Sequence, residues 1–151
     1  MDKVIQTIVM RSMFPAENGT TRKLRTGKYC AQASHASMAF LSNKFRSAKE
    51  TTVGYIGAGG YGTKTLSVPE QLTEEEEIWI NGSFTKICLY VKTEEELLEI
   101  YNKAKEAGLT VHLITDSGFT EFNEQPTHTC LAIGPHYKSK IDEITKNLEL
   151  F

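Results

Sequence analysis

The chain has 151 residues, with 17 Lys and Arg against 19 Asp and Glu, a formal net charge of −2 and 40% hydrophobic residues. That length suits one domain able to bury roughly two-thirds of its unfolded surface, so neither a metal nor a disulfide is needed for folding. The net charge argues against a general polyanion binder, and the dispersed Cys30, Cys88 and Cys130 argue against a disulfide framework or a thiolate metal site. No run of about 18 apolar residues is present to span a membrane, and no apolar stretch follows a basic head at Met1-Asp2-Lys3. A reducing, cytoplasmic setting without membrane, metal or cofactor is the expectation.

The charge is unevenly spread. From Arg11 to Lys49 eight basic residues face only Glu17, a local sum of +7, whereas from Glu70 to Glu106 ten glutamates face four lysines, a local sum of −6. One face of the folded chain is therefore suited to phosphates, unless both runs are simply solvated surface.

In chain order, residues 3–11 are β-branched and apolar nearly throughout, which predicts a strand buried on both faces at the sheet centre. Residues 14–26 carry Pro15, Asn18, Gly19 and basic residues without a period, and read as a basic loop. Thr26 to about Phe45 then reads as a helix with Thr26 as N-cap. Lys28, Gln32 and His35 fall within one arc at the helical period of about 100° per residue. Tyr29, Cys30, Ala33, Phe40 and Leu41 spread over the side that faces a sheet. Lys28 thus stands at a helix N-terminus, where unpaired N–H groups and the dipole favour an anion, or else is an ordinary solvated lysine.

Residues 46–68 contain Gly57-Ala58-Gly59-Gly60-Tyr61-Gly62, which satisfies the dinucleotide-binding spacing. The context does not, since Val53-Gly54-Tyr55-Ile56 is a poor strand and Thr63–Val68 is no helix start; a hairpin of Thr51–Ile56 against Thr63–Val68 fits better. Pro69 predicts a short acidic helix over 70–79, its four glutamates near the end opposing the dipole. A strand over 84–92 leads to Thr93-Glu94-Glu95-Glu96, a capping-box start for a helix that stops at Gly108. Strands over 109–115 and 130–133 and a last helix over about 136–147 complete an α/β layered domain, 1–151, with a mixed sheet and a glycine-rich insertion at about 46–68. Asp116 falls at the carboxyl end of a strand, where open α/β sheets place ligands; it also suits a turn cap before Gly118.

Several separate blocks then occur in one order: Gly27-Lys28-Tyr29-Cys30-Ala31-Gln32-Ala33-Ser34-His35-Ala36; Trp79 with Gly82 and Lys86; Asp116-Ser117-Gly118-Phe119-Thr120; Thr127-His128-Thr129-Cys130-Leu131-Ala132-Ile133-Gly134-Pro135; and Ile141-Asp142-Glu143-Ile144-Thr145 before Leu148-Glu149-Leu150. Together they resemble the type-II peptidyl-tRNA hydrolases over about residues 4–12, 25–45 and 79–151. The resemblance implies a mixed four-stranded sheet flanked by helices on both faces, a homodimer, and cleavage of the ester joining a peptide to the 3′ end of tRNA. It also implies that Lys28, Gln32 and Asp116 are active-site residues, that Thr120, Thr127 and Thr129 are the site hydroxyls, and that His35 matches a family histidine of structural or functional role.

Three departures accompany it. Arg11-Ser12-Met13-Phe14 stands where the family usually has Arg-x-Asp-Leu. Asp116-Ser117-Gly118-Phe119-Thr120-Glu121 replaces a cation by Phe119 and an amide by Glu121, and Pro126-Thr127-His128-Thr129 replaces Gly-Thr-x-Thr. Insertions at about 15–23 and 46–68 lie beside the expected tRNA path.

On this reading Lys28 serves the oxyanion or a nearby phosphate, and Asp116, kept ionised by Lys28, orients or deprotonates the water. Gln32, Thr127 and Thr129 hold the water and the ester carbonyl. No Ser–His or Cys–His nucleophile motif is present, so water attacks directly. Arg22, Lys23, Arg25 and Lys44, with Arg11 and His35, supply substrate contacts. The alternative is a tRNA- or protein-binding module of the same fold with hydrolysis impaired.

Overall fold

A computed structural model describes residues 2–151. Its centre is β1 (Val4–Arg11), in which all eight residues are buried. Side chains of a strand alternate between faces, and β1 follows that period. Ile5 and Val9 join one apolar cluster with Leu97, Ile100 and Ile141, while Ile8 and Met10 join another with Tyr29 and Ala36. Burial on both faces is why this stretch is apolar nearly throughout, as its composition predicted.

Two short strands, β2 (Phe14–Pro15) and β3 (Thr21–Arg22), pair with each other where an aperiodic loop was expected, and lead into α1 (Thr26–Arg46). The helix cap lies one residue earlier than predicted. Arg25, in extended conformation, is the N-cap and makes no side-chain capping bond. The helix start is held from within: the Tyr29 hydroxyl donates to the Ser12 carbonyl at 2.9 Å and accepts the Leu24 N–H at 3.1 Å.

β4 (Lys49–Gly57) and β5 (Gly60–Val68) form the expected hairpin, longer than predicted and with almost every residue exposed. Next comes α2 (Glu74–Asn81), which corrects a prediction. Thr73, not Pro69, begins it, through a complete capping box with Glu76, so Glu74–Glu77 occupy the first turn and favour the dipole rather than oppose it.

β6 (Lys86–Val91), α3 (Glu94–Glu106), β7 (Val111–Asp116), β8 (Thr127–Tyr137), α4 (Lys138–Thr145) and β9 (Glu149–Leu150) follow. The main sheet has five strands in the order β7-β8-β1-β6-β9, one more than expected, because the short β9 pairs antiparallel with the edge strand β6. β1 runs parallel to β6 and antiparallel to β8, making the sheet mixed. α1 and α2 cover one face, where Phe40 meets Trp79 edge-on, and α3 and α4 cover the other. No helix among the described residues is long and apolar enough to cross a membrane.

Candidate active site

Two elements bring the chemistry together. α1 packs across β7 and β8, so the first turns of the helix face the carboxyl end of β7. Lys28 Nζ lies 2.6 Å from Asp116 Oδ2 and donates at 3.0 Å to the Thr120 hydroxyl. Gln32, one turn further along, donates from Nε2 to the same Asp116 oxygen at 2.9 Å. The other carboxylate oxygen, Oδ1, accepts the Gly118 N–H at 2.9 Å. Asp116 therefore meets both descriptions derived from the sequence: it is a turn cap and an acid at a strand end.

Gly118 is required at its position. Its φ is +86°, and an added Cβ would press into the backbone of Gln125, so the returning loop closes over the Asp116 turn only without a side chain there.

Burial pushes the Asp116 carboxyl up, but hydrogen bonds from Lys28, Gly118 and Gln32, with the Lys28 charge, outweigh it and hold the group below its ordinary value of 3.8. The pair is neither solvated nor sealed: the two side chains are 16% and 11% exposed. A fixed cation beside an ionised carboxylate in such a setting can stabilise an oxyanion while the acid binds a water.

Behind this pair β8 carries a register shift. Ile114 pairs with Cys130 but Thr115 pairs with His128, so Thr129 is an extra residue on β8. As a result two successive side chains reach Gln32: the Thr129 hydroxyl donates to Gln32 Oε1 at 2.5 Å, and the Cys130 thiol donates to the Gln32 carbonyl at 3.3 Å. Thr129 is 1% exposed and Gln32 2%. Thr129 thus lies behind Gln32, not at the surface. Thr127, register partner of Asp116, donates its hydroxyl to the Gln125 carbonyl at 2.9 Å.

Two grooves flank the site, one lined by Asp116 and the other by Thr127, its register partner. One, of about 630 Å³, runs between α1 and β7 from Gln32 and Asp116 past His35 and His112 to Arg46. The other, of about 810 Å³, is bounded by Arg11, Glu17, Glu94, Glu121, Phe122 and Thr127. A further cavity of about 400 Å³ between β6, α3 and α4 contains none of these site residues.

The remaining sequence-predicted contacts are scattered. Lys23 is exposed. Arg11 is buried, pairs with Glu94 at 3.3 Å and lies over the Phe14 ring. Lys44 pairs with the buried Glu76 at 3.2 Å and donates to the Gln71 carbonyl, which anchors α2 to α1.

Glu121 was visible in the sequence only as an acid in place of an amide. It is a hub, pairing with Arg22 at 3.1 Å and Arg25 at 2.8 Å while its own side chain is 8% exposed. Hydrogen bonds from Arg25 and Arg22 hold its carboxyl below the usual range. The clustering of Arg22, Lys23 and Arg25 ahead of a lone substituted acid was the available signal. No group of three or more His, Cys, Asp or Glu residues positioned to hold a metal occurs among the described residues.

The family model for peptidyl-tRNA hydrolase PTH2 matches residues 4–151. A peptidyl-tRNA hydrolase of Nanoarchaeum equitans is 34% identical over 125 residues, 83% of this chain and 87% of that protein. One from Methanopyrus kandleri is 37% identical over 128 residues, covering 85% and 88%. A probable peptidyl-tRNA hydrolase 2 of Dictyostelium discoideum is 41% identical over 73 residues, covering 48% of this chain and 34% of its own.

Proposed function

The chain belongs to the peptidyl-tRNA hydrolase PTH2 family, and from that membership we propose how its site works. The protein is a hydrolase that cleaves the ester between a peptide and the 3′ end of tRNA. The observation that carries the mechanism is the 2.6 Å contact of Lys28 with Asp116, whose same carboxylate oxygen also accepts from Gln32.

Asp116 binds the attacking water and takes its proton as the oxygen adds to the ester carbonyl. The Lys28 ammonium stabilises the tetrahedral oxyanion, then gives a proton to the departing ribose 3′ oxygen. Transfer from Asp116 to Lys28 across their short contact restores both groups. Gln32 keeps the carboxylate oriented, and Thr129 keeps Gln32 oriented from behind. Thr120 fixes the ammonium, and Thr127 borders the acyl side. The one amine beside a hydroxyl in this network, Lys28 next to Thr120, is ion-paired with Asp116 and donates to that hydroxyl, which supports direct water attack.

Lys23 and His35 stand open to substrate phosphates, and Arg22 and Arg25 can join them by leaving Glu121. Arg11 and Lys44, held by Glu94 and Glu76, act on the frame rather than the substrate. The protein works in the cytoplasm, a reading supported by three free thiols, with residues 1–151 acting as one domain. A homodimer is supported by the family resemblance.

Release of labelled N-acetyl-aminoacyl ester from tRNA tests this. Lys28→Ala and Asp116→Ala each lose about 10²–10³ in turnover, the scale of removing a transition-state charge contact. Wild-type turnover left intact in either variant would overturn the assignment.

A further inference from the structure

The hairpin β4–β5 contains the glycine pattern that the active site does not use. Its register explains the glycines. Gly54 lies under the ring of Tyr61, whose hydroxyl would sit 2.5 Å from an added Cβ, and Gly62 lies under Tyr55, at 2.8 Å. Each strand thus carries a tyrosine that covers a glycine of the other strand, one on each face of the ribbon. Gly54 and Gly62 seat aromatic rings, and Gly59 lies in the two-residue turn. This cross-covering supports a two-stranded ribbon whose extensive contacts are all within itself and which would otherwise be marginal in water.

The ribbon is placed at the end of a path. α1 contains no acidic residue over its 21 positions, and the groove beside it has Asp116 as its only carboxylate, with His35, His112 and Arg46 along its walls. Arg46 ends the helix and Lys49 begins the hairpin. The opposite groove sets Glu17, Glu94 and Glu121 against Arg11 and Arg22, an acidic excess of one that makes it the less favourable of the two for phosphates and suits the acyl part of the substrate. The polyanionic part therefore leaves the site along α1, towards the hairpin.

Eighteen helical residues separate Lys28 from Arg46, or about 27 Å at 1.5 Å per residue. That is about eight nucleotide steps at 3.4 Å per strand step, which lies beyond the unpaired 3′ end and on the duplex stem. The nine-residue strands extend roughly 30 Å further. They present what a backbone-tracking surface needs: Lys49 and Lys64 against one Glu50, the hydroxyls of Thr51, Thr52, Thr63, Thr65 and Ser67, and two exposed tyrosines.

We infer that the hairpin Lys49–Val68 is an RNA-binding arm that grips the duplex stem of the tRNA whose 3′ end lies at Lys28 and Asp116. The inference rests on the hydrolase reading for its direction, but it is measured separately.

Two variants test it, one with residues 50–67 replaced by a short Gly-Ser turn and one Lys64→Glu, which leaves the tyrosine–glycine contacts in place. Affinity for deacylated tRNA is measured against salt, turnover on N-acetyl-aminoacyl-tRNA beside the same ester on adenosine alone, and mass by sedimentation. The expected result is tRNA affinity about tenfold weaker in the replacement and a salt slope smaller by about one in Lys64→Glu, with turnover on the adenosine ester unchanged. Unchanged tRNA affinity in both variants would overturn the inference, as would equal loss on both esters, or a dimer that dissociates while tRNA binding persists. Failure of the hydrolase reading shows separately, as absent wild-type turnover on either ester.

Discussion

Thr129 and Gln32, 97 residues apart, are joined by a 2.5 Å hydrogen bond that exists because β8 carries one extra residue at that point. Without the bulge, alternation would send Thr129 and Cys130 to opposite faces of the sheet. With it, both donate to Gln32, Cys130 to the main-chain carbonyl and Thr129 to the side chain that touches Asp116.

On the proposed mechanism Thr129 acts as a positioning residue through its hydroxyl. Thr129→Val leaves the buried Gln32 Oε1 without its donor, and kcat should fall about tenfold, the equivalent of one hydrogen bond of about 1.4 kcal/mol. KM for tRNA stays near its wild-type value, and Thr129→Ser restores the rate. Steady-state kinetics on the three proteins decides it; an active Thr129→Val would show that Gln32 needs no anchor.

The pH dependence follows from Asp116. Its folded pKa is depressed, so its contribution to stability is fully present above the unfolded value near 3.8 and is lost as pH falls through the folded value. The acid limb of kcat/KM in the wild type should therefore lie below the usual carboxylate range. Removing the cation in Lys28→Met leaves burial less opposed, so the acid limb of the residual activity moves to higher pH. A pH–rate profile of both proteins reads the shift, and a limb that stays in place would separate it from Asp116.

Glu121 holds two arginines that a phosphate could otherwise bind. Glu121→Gln removes that charge and keeps the shape. Affinity for tRNA should rise, and the salt slope should steepen by about one for each arginine released to a phosphate. Filter binding over a salt series measures it, and an unchanged slope would mean that Arg22 and Arg25 do not reach the RNA.

Lys44 was a candidate phosphate contact in the sequence, but it neutralises Glu76, whose side chain is 2% exposed. Lys44→Met strands a buried carboxylate and should cost about 3–5 kcal/mol. Pairing it with Glu76→Gln should recover most of that loss. Denaturant unfolding gives both numbers. A Lys44→Met protein as stable as the wild type but weaker for tRNA would return Lys44 to the substrate.

Much of the fold was determined by local pattern. The both-face burial of Val4–Arg11, the amphipathic α1, the capping box at Thr93 and the hairpin around the glycines all follow from periods and residue types that act within a few positions. Local reading failed where two local signals competed, as at Pro69, where a real capping box at Thr73 lay four residues on. The five-strand count likewise needed a distant partner, since Glu149–Leu150 is a strand only because β6 offers an open edge.

In the site, local pattern sets the residue types: Lys28 and Gln32 one turn apart on a helix, Asp116 at a strand end, and Thr120, Thr127 and Thr129 further along the chain. Which of them share a hydrogen-bond network, and which hold the frame, depends on how the layers pack. Packing α1 across β7 and β8 sets the 2.6 Å Lys28–Asp116 contact. The β8 bulge aims Thr129, and the loop returning over Gly118 places Glu121 between Arg22 and Arg25. Each of these is a contact between segments about 90 to 100 residues apart, and a hydrogen bond or ion pair at that separation is set by how the layers stack, which no local period encodes.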